Sequence, residues 1–585
     1  MPKGLDAGIL APLVVQHDGR YMPLDTLARD VVSHVTSTDI VPGDRAALAL
    51  LSWTCDAAAC EDERLIPVTN RKLREAIGLP IEQDVFSYRQ LANHPHFRSL
   101  IEEALNLPAG QRADPLQSKV LKIREKMATL EGILQGQAIR LVPNPDDPQE
   151  QWQNVAELAR ADDTHLQPAR LAWMAIMAAV RADDGPAFTD AADQLTAELQ
   201  KLPAAYRPTP ARIAKELRYN TLQAYRKAWI ALTLATLLAA LALVFRRHWL
   251  DRVAAGFTLA GFAVFTYGLS LRWAIAGRIP ASNMFESLLF LSWGAAAFAF
   301  VSFFIFRHRS VPLTAAAIGA LSLCLADCLP IDSFIRPVAP VLLDTFWMSV
   351  HVPIIMISYA VLAIAVTLAH VQVAACAVLK ADKPLLATLD LLLHRYILVG
   401  SFLLFIGIAT GSMWAASSWG RYWGWDPKEV WSLVALLGYM AILHIRLHRG
   451  RPRTWMLVLA LALSGFVFVV VAVNLGALTA AKVFTLIGAA AAGVYFALAR
   501  SRFATAAKSI IAFWLIIMTY VGVNYVLGTG LHSYGFGAGA VAGRMCVIGT
   551  IDLVVLVGFG AVYYLRQRVS QGGAVPGLEA SARVS

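Results

Sequence analysis

From Trp229 onward the chain is a succession of apolar runs of membrane length. They lie at about 229–245, 253–271, 287–306, 311–329, 347–379, 395–414, 430–447, 455–475, 478–499, 508–527 and 544–565. About 20 apolar residues at ~1.5 Å each cross the hydrocarbon of a bilayer, so roughly eleven spans are predicted. Ahead of them the pattern changes. Residues 1 to about 220 mix polar and apolar positions, are jointed at Pro143-Asn144-Pro145 and Pro208-Thr209-Pro210, and contain no run of spanning length. Within that region Asp114–Gln135 and Val155–Gln200 carry apolar residues at helical spacing. The expected fold class is all-α, a polytopic transmembrane helix bundle with a mainly helical soluble N-terminal domain. The expected divisions are 1–225, 226–570 and a disordered cytoplasmic tail at 571–585.

Composition agrees with this division: 57% of the 585 residues are hydrophobic and the mean hydropathy is +0.53, too apolar for a soluble protein. A formal charge of +10 raises the question of nucleic acid. Much of the basic charge, however, sits in short clusters between apolar runs, where it sets topology, and no nucleic-acid module is visible. The clusters are Arg246-Arg247-His248, Arg307-His308-Arg309, Lys380 with Lys383, Arg446 to Arg453, Arg500 with Arg502 and Lys508, and Arg566 with Arg568. They fall at alternate ends of successive helices and can share the cytoplasm, which leaves the other loops outside. The same parity puts the N-terminal domain outside. Met1-Pro2-Lys3-Gly4 leads into no apolar run of signal-peptide length, so two routes stay open: export by the first span, or a natural chain that begins upstream of this Met. Six cysteines are too few and too scattered for a disulfide framework. Cys55 and Cys60 are candidates for one pair in an exported domain; Cys324 and Cys328, one helical turn apart in an apolar run, are expected to pack.

The stretch Trp414–Trp431 holds five tryptophans and Tyr422 between two long apolar segments. Gly420, Gly424 and Pro427 interrupt helix, while the indoles offer flat surfaces with few polar atoms, suited to a planar, mostly apolar ligand such as a porphyrin. An interfacial aromatic belt that binds nothing is the plainer alternative. Asp426, Lys428 and Glu429 stand beside these rings, either to cap the next helix or to position a ligand's carboxylates or an incoming polypeptide.

Trp419-Gly420-x-x-Trp423-x-Trp425-Asp426-Pro427-Lys428-Glu429, followed by Trp431-Ser432-Leu433, resembles the tryptophan-rich WWD signature of the haem-handling proteins of cytochrome c biogenesis, and more closely that of the CcsA (ResC) component of system II. Two further segments resemble the same family: Arg278 to Ser287, with Pro280-x-Ser282-Asn283-Met284-x-Glu286-Ser287, and Val523-Asn524-Tyr525 with Gly530-Leu531-His532-Ser533-Tyr534-Gly535. The likeness covers about residues 270–565. It departs once: one span is expected between His444 and His532, and three apolar runs occur, so an extra hairpin near 455–499 is predicted. More weakly, Pro12–Arg29 is similar to a segment that accompanies CcsA or its ResB-type partner in some fused synthases.

The resemblance implies a cytochrome c haem lyase that handles haem b and works with a ResB-like membrane subunit. It implies apocytochrome c as client, a thiol-reducing protein as a further partner, and membrane lipid as surroundings. The expected location is the bacterial inner (cytoplasmic) membrane, with the WWD loop facing the periplasm. His351 and His532 both fall at the depth of the tryptophan loop, and the family match makes them axial ligands to haem iron. His444 lies roughly 20 Å further along a helix from Trp431, near the inner face, and corresponds to a ligand of a second, intramembrane haem. The ligand opposite it is expected from the partner, with His370 and His248 as alternatives in this chain. Trp419, Trp423, Trp425 and Asp426 are the expected catalytic positions; Trp414, Tyr422 and Glu429 are expected to contact the cofactor. His17, His34, His94, His96, His165, His308, His394 and His448 read as ordinary surface or interfacial residues. A haem transporter that attaches nothing, and a membrane scaffold for a respiratory complex, are the rival functions.

Overall fold

The computed structural model describes residues 4–38, 43–107, 114–245, 247–280, 282–306, 310–329, 331–337, 346–378, 383–447, 502–519, 523 and 539–572. Two compact units divide them. One comprises Met1–Gln223 with Ser270–Gly277 and Phe334–Pro337; the other takes in Ala224–Leu269, Arg278–Ser333 and Val338–Ser585.

The first unit is mainly helical around a core that includes Leu27, Trp53, Phe97 and Phe188, all buried. It also holds two small antiparallel sheets that the helical spacing did not announce, since their strands are two to four residues long. Val14–His17 and Arg20–Pro23 form a hairpin, extended by Arg140–Val142 and Gln153–Asn154. Its turn is Asp18-Gly19 at φ 48° and 71°, the left-handed pair that a two-residue hairpin requires. The hairpin leads into helix Leu24–Thr36, whose polar side chains fasten the unit together. Arg20 forms an ion pair with Glu216, and Thr26 Oγ1 donates to the same carboxylate at 2.9 Å. Asn220 bridges Asp25 (2.8 Å) and Thr26 (2.9 Å), while the Arg336 fork closes on Asp30 at 2.6 and 2.7 Å. The segment from Arg20 to Asp30 is thereby a structural knot. Cys55 and Cys60 stand as separate buried thiols; burial pushes each up to about 12, far from thiolate at neutral pH.

In the second unit lie long apolar helices. Over the whole chain, the helices long and apolar enough to cross a membrane among the described residues are Pro210–Ala242, His248–Ala276, Phe346–Ala377, Lys383–Trp419 and Val547–Gln567, with Met284–Phe298 and Ala316–Cys328 as shorter apolar helices. The runs expected at 455–475 and 478–499, most of the segment around His532, and the tail beyond 572 lie outside the described residues.

Phe346–Ala377 and Lys383–Trp419 pack against each other along a stripe of glycines. A Cβ on Gly400 would meet Leu362 at 2.6 Å, one on Gly407 would meet Ile355 at 2.4 Å, and one on Gly411 would meet the His351 ring at 2.7 Å. Ser358 Oγ donates to Gly400 O at 2.9 Å across the same seam. Small residues let helices approach closely where lipid removes the usual hydrophobic drive.

Glu216 is buried at the centre of the first unit's polar knot, so Glu216→Ala should cost about 3–5 kcal/mol by leaving Arg20 uncompensated. Pairing it with Arg20→Met should recover much of that loss. Thermal unfolding of the two variants measures this, and an unchanged midpoint for Glu216→Ala would contradict it.

Candidate functional site

The aromatic stretch is helix for longer than expected. Lys383–Trp419 continues through Ala415-Ala416-Ser417-Ser418, residues compatible with helix, and breaks only at Gly420, whose φ of 71° supplies a left-handed cap. The next helix, Pro427–Leu447, begins at once, so the connecting loop is only Gly420–Asp426.

Trp414, on the last turns of the first of these helices, is buried, and its ring lies parallel to that of His351, 6.4 Å between centroids and 7° between planes. Trp419 meets Trp414 edge-on at 4.7 Å. His351 Nδ1 is 2.8 Å from Gly407 O. A carbonyl oxygen only accepts, so Nδ1 carries the proton and the ring's lone pair is on Nε2, the form in which imidazole binds iron. The structure thus sets the His351 ring beside Trp414.

In the loop, Trp423 and Trp425 stand perpendicular at 6.0 Å, and Trp425 and Tyr422 are 63% and 62% exposed. Trp425 has φ 59°, an unusual backbone for a bulky residue and a strain tolerated mainly where function requires it. The acidic residues face the other way. Glu429 accepts from Gly424 N at 2.8 Å and Asp426 N at 3.2 Å, and Asp426 accepts from Lys428 N at 3.0 Å. Both carboxylates are buried and make a reciprocal cap on Pro427–Leu447, so the capping role considered for Asp426 is present. Sequence reasoning passed over Arg421. Its guanidinium lies 5.9 Å over the Trp419 ring and 3.4 Å from Glu429, across Gly424, where a Cβ would stand only 1.5 Å from Nη1. The one signal was a basic residue inside an aromatic, glycine-broken run.

The remaining histidines are elsewhere. His444 is exposed on Pro427–Leu447, with Nδ1 2.8 Å from Met440 O, so its lone pair is also on Nε2. His370 has Nδ1 on Val366 O (2.8 Å) and Nε2 on Asp552 (2.7 Å), and Trp514 Nε1 donates to the other oxygen of Asp552 at 2.6 Å. With both nitrogens engaged, His370 is poorly suited to hold iron. His248 is exposed beside Asp251 at 3.7 Å. His532 lies outside the described residues.

Residues 281–478 match the family model described as cytochrome C assembly protein. The chain is 32% identical over 325 residues to the cytochrome c biogenesis protein CcsA of a Synechococcus strain, an alignment covering 49% of this chain and 86% of that one. It belongs to the CcsA family of cytochrome c biogenesis proteins. Another CcsA protein, from Parasynechococcus marenigrum, is 34% identical over 314 residues, with 47% of this chain and 83% of the relative covered. Protein NrfI of Wolinella succinogenes is 29% identical over 546 residues; that alignment takes in 90% of this chain but spans only 54% of NrfI. A likeness covering so much of the chain includes most of the N-terminal unit. As a CcsA-type protein with several long apolar helices, the chain is a multi-pass membrane protein with a role in cytochrome c maturation, and such proteins handle haem.

The Ser282–Ser287 motif of the CcsA resemblance is, physically, a helix start. Asn283 Oδ1 accepts from Glu286 N at 2.8 Å, and the fully buried Glu286 accepts from Ser282 N, Ser282 Oγ and Arg278 at 2.9, 2.7 and 2.9 Å.

Removing the carboxylate that closes the tryptophan loop should loosen it. Glu429→Ala leaves two backbone amides without their acceptor, at about 1–3 kcal/mol. Limited proteolysis should then cut within Gly420–Asp426 faster than in the parent while helical content stays the same. Equal cutting rates would contradict the role given to Glu429.

Proposed function

We propose that this chain is the CcsA-type subunit of a cytochrome c synthase, carrying haem b across the membrane and presenting it for attachment to the Cys-x-x-Cys-His thiols of apocytochrome c. The observation that carries this reading is the His351 ring, held parallel to Trp414 with its proton committed to Gly407 O and its lone pair on Nε2. Such an imidazole is pre-set to hold iron beside an aromatic surface. His532 serves as the opposite ligand in this reading, and His444, on the helix leading away from the loop, belongs to an inner site whose other ligand comes from a ResB-like subunit. The pairing of His370 with Asp552 supports a ligand from outside this chain.

Haem supplies the vinyl groups, across which each thiol adds: sulfur bonds to one vinyl carbon and the proton goes to the other, with no oxidant needed. The protein's work is positioning. Trp419, Trp423 and Trp425 supply the aromatic contacts, Trp414 and Gly407 fix His351, and the loop's buried carboxylates hold its shape. The loop faces the periplasm of a bacterial inner membrane in this reading, and a thiol-reducing protein keeps the client's cysteines available. A haem exporter that attaches nothing is the second reading, favoured by the same histidine geometry, which holds haem in either case.

Coexpression with an apocytochrome c, with and without a ResB-like subunit, separates the two. Covalent haem on the client is expected; bound haem in the purified protein with no holocytochrome would favour the exporter. His351→Ala should lower holocytochrome yield at least about tenfold and be partly rescued by added imidazole, which can fill a vacated coordination position. Gly411→Val, which drives a side chain into the same ring, should lower yield without such clean rescue. Normal yield from His351→Ala at normal protein level would sink the assignment.

The two histidine sites also predict an order. If haem enters at the inner site, His444→Ala should deplete haem at both sites, whereas His532→Ala should leave the inner haem in place or let it accumulate. Haem per chain in the two variants, with the partner present, measures this; equal partial losses would mean independent loading.

A further inference from the structure

We infer that Arg421 binds a carboxylate of the ligand seated on the tryptophan loop; resting on the haem reading above, that group is a haem propionate. The loop and the first turn after it carry four charged side chains, Arg421, Asp426, Lys428 and Glu429. The two acidic ones are buried and spent on backbone amides. Arg421 is their outward counterpart: its side chain is 31% exposed, lies over the Trp419 ring and touches Glu429 only at 3.4 Å. A guanidinium has five donors in a planar fork that matches a carboxylate, and a place over an indole face restrains it. The exposed Tyr422 and Trp425 complete a surface with an apolar face and a cationic rim. The ligand chemistry this fits is a planar apolar body bearing carboxylates.

The same arrangement occurs with its arginine tied down. Arg278 and Glu286 stand eight residues apart, as Arg421 and Glu429 do, again with the glutamate capping a helix start. There the contact is 2.9 Å and the arginine only 17% exposed. Arg421 is held more loosely and is more open. Gly424 permits this, because Nη1 occupies the place where any larger residue would put its Cβ.

The test is equilibrium binding of haem and of haem dimethyl ester, whose propionates are blocked, to the purified full chain in detergent. Arg421→Ala should weaken haem about tenfold or more and leave the diester within about twofold. Gly424→Ala, which keeps the charge but displaces it, should do the same, and the double variant should be no weaker than either single one. Arg421→Lys should fall between parent and Arg421→Ala. Parallel losses for haem and diester in variants that keep the parent's helical content and elution volume would overturn the assignment, as would unchanged haem affinity. Should Arg421→Ala misfold, Gly424→Ala and Arg421→Lys decide by the same comparison. A parent chain that binds neither probe tells against the haem reading itself, a result distinct from either of these.

Discussion

The close seam between Phe346–Ala377 and Lys383–Trp419 is the constraint on which the site depends. In lipid, apolar side chains gain little by leaving one apolar medium for another, so two helices hold together by packing density and by polar bonds. Gly400, Gly407 and Gly411 provide the first, receiving Leu362, Ile355 and His351 in turn. Ser358 and His351 provide the second, each bonded to a backbone carbonyl of the opposite helix. The bond that orients the imidazole is thus one of those that clamp the helices, and the ring cannot turn without loosening the seam. Trp414 extends the same face by one more turn and closes over the ring.

Helix starts supply the second device. At each of two starts a capping side chain, Asp426 or Asn283, accepts from an amide of the first turn, while a buried glutamate, Glu429 or Glu286, accepts from an amide at or before the cap, with an arginine eight residues before that glutamate. Motifs that look like strings of reactive side chains are in both cases largely scaffolding: their acids face inward and satisfy amides. What they leave outward is aromatic surface and, at Arg421, a cation. This division explains how a loop as short as Gly420–Asp426 holds a strained Trp425 in place.

Much of this was legible in the sequence. Runs of apolar residues announced the long helices, and the tryptophans and His351 were expected in one place because span parity gave them one depth. The extent of the loop differs from the expectation, since six aromatic residues suggest irregular chain whereas Trp414 to Trp419 obey helix and only Gly420 breaks it. The glycine seam was hidden: glycines at 400, 407 and 411 read as ordinary interruptions until their neighbours are known. The link between His370 and Asp552 joins residues 182 apart and has no local signal. In the N-terminal unit the Asp18-Gly19 turn was a readable hairpin signal, overlooked because the strands beside it are so short. Asp25 and Thr26 lie in the segment that resembles a family motif, and their hydrogen bonds, with the ion pair of Asp30 just after it, show the physical work done there.

The most direct measurement of the central claim is an experimental structure of the full chain loaded with haem. The account predicts a porphyrin against the tryptophan loop with its iron on Nε2 of His351, and the Nδ1 bond to Gly407 O kept. A porphyrin bound elsewhere, or one held at this loop with His351 Nε2 off the iron, would contradict it.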